Sequence, residues 1–260
     1  MKKTILLILT LTCLALLLPN TSKSQTEAWS EVFFKANQAF KADRFDEAVE
    51  GYNKLLLLGH ESGDLYYNLG NAYFRMNQLG RAILNYELAR LFMPRDADLN
   101  FNLSHALDQI VDDVPEEKDF VVMTFFWLDS LSMAELFFGF ALINILFWGI
   151  LFIRLFFRME WTYYMTIIFL IFWIISGTSF GLKWYQRGTD DRAVIIREEV
   201  NIMAGPDEKD TVLFKLHEGT IIHNERSEDG WSLVSLSNEK RGWIRSESIK
   251  EIQSHRPGPV

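Results

Sequence analysis

Apolar positions along this chain follow three different rhythms, and each predicts a different kind of element. From Met133 to Ile153, and again from Trp161 to Gly181, they run for about 21 residues without an amphipathic break. At roughly 1.5 Å per helical residue, such a run matches the ~30 Å hydrocarbon core of a bilayer. Two transmembrane helices at 133–153 and 161–181 are therefore expected, joined by a turn at 154–160. So short a turn makes the helices cross and return, which puts everything before Met133 and everything after Gly181 on one side of the membrane. Ser132 and Glu135 have capping-box spacing for the first span. Gly177 and Gly181 form a small-xxx-small pair that permits close helix contact. Asn144 is the only strongly polar side chain well inside either span, so no proton relay or transport chemistry is indicated.

Upstream the rhythm is helical and repeats. Lys35 to Tyr52 aligns without a gap on Leu69 to Tyr86, a period of 34 residues. Asn37 falls on Asn71, Ala48 on Ala82 and Tyr52 on Tyr86, and Pro94 closes the second unit. The pattern resembles the tetratricopeptide repeat, in which small residues such as Ala36, Gly70, Ala48 and Ala82 let paired helices approach while Tyr52 and Tyr86 fill the groove. A third phase at Leu103 and Ser104 reads as a capping helix. An all-α solenoid is thus expected over 25–111. From 112 to 132 the chain reads first as an acidic, solvated linker around Pro115. An apolar stretch, Phe120 to Leu128, follows that is too short to span and suits the lipid surface, with Trp127 at the interface.

After the second span the period shortens to two. Strands are expected at Ala193–Ile196, Val200–Met203, Val212–Leu216, Thr220–His223, Trp231–Leu236 and Gly242–Ile244. They are separated by Gly205-Pro206, Glu218-Gly219, Glu228-Asp229-Gly230 and Asn238-Glu239-Lys240. The order of Val200 to Pro206, Leu216 to Thr220, Gly230-Trp231 and Gly242-Trp243-Ile244 resembles a bacterial Src-homology-three-type domain, which implies a small all-β barrel over 190–252. The tail at 253–260, with Pro257, Gly258 and Pro259, is expected to be disordered.

Charge orients the hairpin. Met1-Lys2-Lys3, the apolar run Thr4 to Leu18 and the following Pro19 and Asn20 read as a secretory signal over 1–24, with cleavage before Gln25. An uncleaved anchor would give the same topology. Arg154 and Arg158 place the turn in the cytoplasm, against the opposing Lys183 and Arg187. Both soluble parts are therefore expected on the periplasmic side of a bacterial inner membrane. Each is acidic, with 17 Asp and Glu against 9 Lys and Arg from Glu27 to Asp119, and 14 against 9 from Asp190 to Ile252, which argues against nucleic acid as a partner. Cys13, the one cysteine, lies inside the signal, so a processed chain has no thiol for disulfides, thiol chemistry or metal ligation. None of His60, His105, His217, His223 and His255 pairs at metal-ligand spacing or follows a nucleophile motif, so neither catalysis, nor a metal, nor a cofactor is expected.

Function is expected on the concave face of the repeats, presented by Asn37, Phe40 and Lys41, then Asn68, Asn71, Phe74 and Arg75, then Asn102. An Asn carboxamide can donate to and accept from a peptide backbone, which suits sequence-tolerant peptide holding. The same residues could instead cap or bridge neighbouring helices. Trp231 and Trp243 could stack on a ligand of the barrel or pack its core or rim.

Signal, two and a half repeats, two-span hairpin and C-terminal barrel together resemble the BatE-type proteins of the bacterial aerotolerance operon. That resemblance implies a non-enzymatic scaffold with protein partners: membrane-anchored von Willebrand-type proteins, other Bat proteins and, indirectly, a MoxR-type ATPase. It implies a role in oxygen tolerance or envelope stress. The alternative is a cell-wall sensor whose barrel binds peptidoglycan. Homo-oligomerisation is left open.

Overall fold

The computed structural model describes residues 23–112, 125–157, 159–237 and 240–253. Nearly all of the expected signal, most of the linker, Arg158 of the turn, Asn238-Glu239 and the tail from Ser254 lie outside these residues. The described chain forms two compact units, one up to Gly59 and one from His60 onward.

The first unit is a helix pair, α1 (Lys23–Lys41) and α2 (Phe45–Leu57). It turns at Asp43, whose φ of +56° places it in the left-handed region. The Arg44 N–H reaches back to the Ala39 carbonyl and the Asp43 N–H to that of Phe40, so the last carbonyls of α1 are satisfied by the turn itself. The helices approach closely at Gly51, where a Cβ would lie 2.8 Å from that of Ala36. The Tyr52 hydroxyl donates to Asn37 Oδ1 at 2.6 Å. Burial of this ring pushes its pKa up to about 12.

The second unit opens with α3 (Gly63–Arg75) and α4 (Leu79–Phe92), and the same features recur 34 residues on. Asn77 has φ +56°, the Gln78 N–H bonds the Tyr73 carbonyl, and the Tyr86 hydroxyl donates to Asn71 Oδ1 at 2.8 Å. Ser62 caps α3 by accepting from the Leu65 N–H. Gly70 meets the Tyr86 ring, where a Cβ would lie 2.6 Å from Cδ1. After Pro94, Asp96 caps a fifth helix, α5 (Ala97–Leu107), by accepting from the Leu99 N–H at 2.8 Å.

A short helix, α6 (Trp127–Ser130), leads into α7 (Met133–Phe156) and α8 (Glu160–Thr189). The Ser132–Glu135 capping box forms in full. Ring contacts Phe137–Phe180, Phe140–Trp173 and Phe147–Trp173, with the Arg154 guanidinium over Tyr163, show an antiparallel hairpin. Both helices are long and apolar enough to cross a membrane, and most of their side chains point away from the protein. The helices outrun the expected spans. Arg154 lies in the last turn of α7, which runs to Phe156, rather than starting a turn, and α8 continues eight residues past Gly181 to Thr189. Apolarity, which set the expected ends, is blind to this extension, because beyond Gly181 the helix is held by polar contacts. Lys183 Nζ donates to the Leu128 carbonyl at 2.7 Å, and Arg187 lies over the Phe92 ring at 5.9 Å. Trp127, expected at a lipid surface, donates its indole N–H to Ser179 of α8.

The chain then enters an antiparallel sheet of seven strands: β1 (Arg192–Ile195), β2 (Glu199–Met203), β3 (Val212–His217), β4 (Ile221–Glu228), β5 (Trp231–Ser237), β6 (Lys240–Arg245) and β7 (Ile249–Glu251), in the order β3-β2-β6-β5-β4-β1-β7. The two edges contribute Leu216 and Ile249 to a single core with Ile195, Ile202, Ile222, Val234 and Ile244, so the sheet curls around its own apolar face. Asp229 and Gly230, both at positive φ, make the tight β4–β5 hairpin. Most strand ends fall within one or two residues of expectation, and two differences are larger. Strand β4 runs on to Glu228 through the polar Asn224 to Ser227, because backbone pairing with β5 does not require apolar side chains. Strand β7 was not expected, since three residues carry too little alternation to signal a strand.

Within the second unit, the helices and the sheet dock through backbone and charge. A Cβ at Gly80 would lie 2.3 Å from the Ile195 carbonyl, and one at Gly219 would lie 2.8 Å from the Ile83 side chain. Only glycines allow so close an approach. The Gly80 N–H donates to Glu218 Oε2 at 3.0 Å. Asp112 is not the solvated linker residue that its acidic neighbours suggested. Its carboxylate accepts from the Thr220 hydroxyl at 2.6 Å and the His217 N–H at 2.7 Å, and faces His217 Nδ1 at 3.1 Å. Burial would raise its pKa, but these hydrogen bonds and the His217 charge outweigh it and hold the carboxyl below its ordinary value. Glu87 of α4, 2% exposed, pairs with Arg90 at 2.7 Å and with Arg192 of β1 at 3.5 Å. Arg192 also chelates Asp190 through Nε and Nη2.

Candidate functional site

Among the described residues, two surfaces are candidate sites: a helical face of the second unit and a cleft on the sheet. On the helical face, Tyr67, Asn71 and Phe74 project from α3 at helical spacing beside Phe101, Asn102 and His105 of α5. Asn102 Nδ2 donates to the Tyr67 hydroxyl and to Asn71 Oδ1, both at 3.0 Å. Asn71 Oδ1 therefore serves Tyr86 and Asn102 at once and is committed to holding three helices in register. His105 sits between Phe74, 5.7 Å away, and Phe101, on which it stacks at 6.4 Å. Phe101 is 71% exposed. The face thus pairs a fixed polar floor with a solvent-facing aromatic edge.

Of the expected binding residues here, Asn71, Phe74 and Asn102 come together. Asn68 is half-buried in α3, and Arg75 is exposed in its last turn. In the first unit Asn37 is committed to Tyr52, Phe40 packs edge-on against Phe45 at 5.4 Å, and Lys41 is exposed at the end of α1. The carboxamides of Asn37, Asn71 and Asn102 thus bridge helices. Tyr67, Phe101 and His105 were not among the expected residues. The register that carried the repeat also carried them: 34 residues separate Tyr67 from Phe101 and Asn71 from His105.

On the sheet, Trp231 and Trp243 are 6% and 8% exposed and pack with Met203 and Leu233 beside the main core. Their faces are covered by cations. The Arg245 guanidinium lies 4.3 Å from the Trp231 centroid and that of Arg226 lies 5.2 Å from Trp243. Beside them opens a cleft of about 340 Å³, lined by residues that include Asn201, Met203, Glu208, Trp231, Arg245 and Ser248. Arg245 also pairs with Glu208 across it. The cleft offers an aromatic edge, a cation, a carboxylate and two small polar groups, a set suited to a polar ligand of zwitterionic or peptide character.

The curled seven-stranded sheet and the two tryptophans flanked by short hairpins have a counterpart among known families. Residues 197–251 match the bacterial SH3 domain family. The match covers β2 to β7 of the SH3-like domain, while β1, inserted between β4 and β7, precedes it. The helical part of the chain lies outside the match. No curated protein matches the chain.

Proposed function

We propose that this protein is a non-enzymatic, membrane-anchored scaffold. Helix pairs of tetratricopeptide type hold an extended segment of a partner protein, and the hairpin of α7 and α8 crosses a bacterial inner membrane so that helices and SH3-like domain both face the periplasm. The observation that carries the reading is the face of Tyr67, Asn71, Phe74, Phe101, Asn102 and His105. There, carboxamides tie the helices together and leave an aromatic edge open to solvent. The 34-residue recurrence of the Asn–Tyr bond and of the left-handed turn supports the repeat type. Membrane proteins of von Willebrand type and companion Bat proteins, with a MoxR-type ATPase behind them, are the partner classes that the resemblance of the whole chain implies, in a complex for aerotolerance or envelope stress.

A second reading, in which the chain binds the cell wall, rests on the cleft beside Trp231 and Arg245. Purification of the full chain in mild detergent separates the two. The scaffold reading expects envelope proteins to co-purify with the native chain and to be lost from Phe101→Ala/His105→Ala, while retention on purified wall sacculi stays at background. Retention on sacculi that Arg245→Ala abolishes, with no protein partner recovered, would replace the scaffold by the wall-binding reading.

A further inference from the structure

In the apolar middle of α7, Asn144 carries a carboxamide that forms no hydrogen bond among the described residues. It lies on the flank of the face that α8 covers. Phe140 and Phe147, at i−4 and i+3, both touch Trp173 of α8, at 6.1 and 5.8 Å. Across the hairpin at this level the two polar groups stay unbonded, the Trp173 indole N–H being likewise buried without an acceptor among the described residues. In hydrocarbon, a carboxamide with no partner is costly, and hydrogen bonding across helices relieves that cost.

Asn144 also belongs to a pattern. Phe137, Ala141, Asn144, Trp148, Leu151 and Leu155 follow one another at alternating spacings of four and three, the seam of a two-stranded coiled coil. Phe137 at its start touches Phe180 of α8, but Trp148 and Leu155 are 60% and 79% exposed and Ala141, Asn144 and Leu151 are only half-buried, so the hairpin leaves the rest of the stripe partly open. Ala141, next to the carboxamide, is small enough for a second backbone to come near. The Gly177–Gly181 pair does not compete for this role. A Cβ at Gly177 would meet Phe140 at 3.2 Å, so that glycine is already used inside the hairpin.

We infer that the occupant of the stripe is a second copy of this chain, its α7 packed parallel to the first with the two Asn144 carboxamides hydrogen-bonded to each other. A carboxamide holds a donor and an acceptor and so complements itself. Two copies inserted in the same direction bring Asn144 to the same depth in both, so the pairing is reciprocal about a two-fold axis and fixes register as a single seam Asn does in coiled coils. This rests on the reading of α7 and α8 as membrane spans.

Single cysteines in the full-length chain with Cys13→Ser, oxidised in native membranes, test it. Ala141→Cys and Leu151→Cys are expected to form disulfide dimers. Leu142→Cys, exposed but about 100° round the helix from Ala141, is expected to remain monomeric. Adding Asn144→Leu to Ala141→Cys lowers the dimer fraction roughly tenfold, and Asn144→Gln restores most of it. Equal cross-linking at 141 and 142, or none in a chain that resists extraction by alkaline carbonate, overturns the proposal alone. Release of the chain by carbonate overturns the spanning reading and the proposal with it.

Discussion

The two helix pairs are built on one plan and differ where the second meets the sheet. Both turn on a left-handed residue, Asp43 or Asn77, and both clamp a buried tyrosine to an Asn 15 residues earlier, Tyr52 to Asn37 and Tyr86 to Asn71. The position that holds exposed Asp46 in the first pair holds Gly80 in the second, where the backbone lies against the Ile195 carbonyl. The position of half-buried Asn53 becomes Glu87, buried and paired with Arg192. A repeat thus keeps its internal bonds while its outer face is free to specialise. In the second pair that face has become a dock for the SH3-like domain, which turns two modules of the second unit into one body.

Substitution at the differing positions should separate the pairs most. Gly80→Val drives a side chain into backbone that cannot move, and is expected to cost about 3 kcal/mol in denaturant unfolding of the full chain in detergent. Asp46→Val, its counterpart at an exposed first-turn position, should cost less than about 1 kcal/mol. Equal losses would mean that Gly80 is not docked.

The dock also carries a charge that the first pair lacks. Asp112→Asn keeps the shape but weakens three contacts, and a loss of about 2 kcal/mol is expected, with faster hydrogen exchange at the His217 and Gly80 amides. Because the native carboxyl titrates below its ordinary value, its contribution is complete above pH ~4, the unfolded value, and fades as pH falls through the depressed native one. Protection at these two amides should therefore hold from pH 7 to 5 and drop below pH 4. A drop already complete at pH 5 would mean that another group controls the dock.

The smallest effects should be shared. Tyr52→Phe and Tyr86→Phe each remove one hydroxyl bond to an Asn, and each is expected to cost about 1 kcal/mol. A marked inequality would show that the two bonds do not do the same work, Asn71 having Asn102 as a further partner.

Much of this plan can be read in the sequence because it rests on local periodicity. Spacing alone placed the two apolar helices, the capping box at Ser132, the Asp229-Gly230 hairpin and the 34-residue recurrence. The dock was invisible for a physical reason. Its contacts join Gly80 to Glu218 and Asp112 to Thr220, more than 100 residues apart, and use a glycine and an acidic residue that read locally as a helix start and a linker. Helix α4 is buried almost all round, so no apolar stripe marks the side that meets the sheet. On the helical face, Asn71 and Asn102 were found as polar residues, but their role as bridges depends on Tyr67 and Tyr86, which only packing brings to them.

The central claim is that helices and SH3-like domain stand on one side of a membrane crossed twice by α7 and α8. Single cysteines at Asn100, Lys250 and Met159, all exposed, test it with an impermeant thiol reagent on intact spheroplasts. Asn100→Cys and Lys250→Cys should label at once, and Met159→Cys, between the two helices, only after permeabilisation. Labelling of Met159→Cys in intact spheroplasts, or protection of either of the others, would contradict the claim.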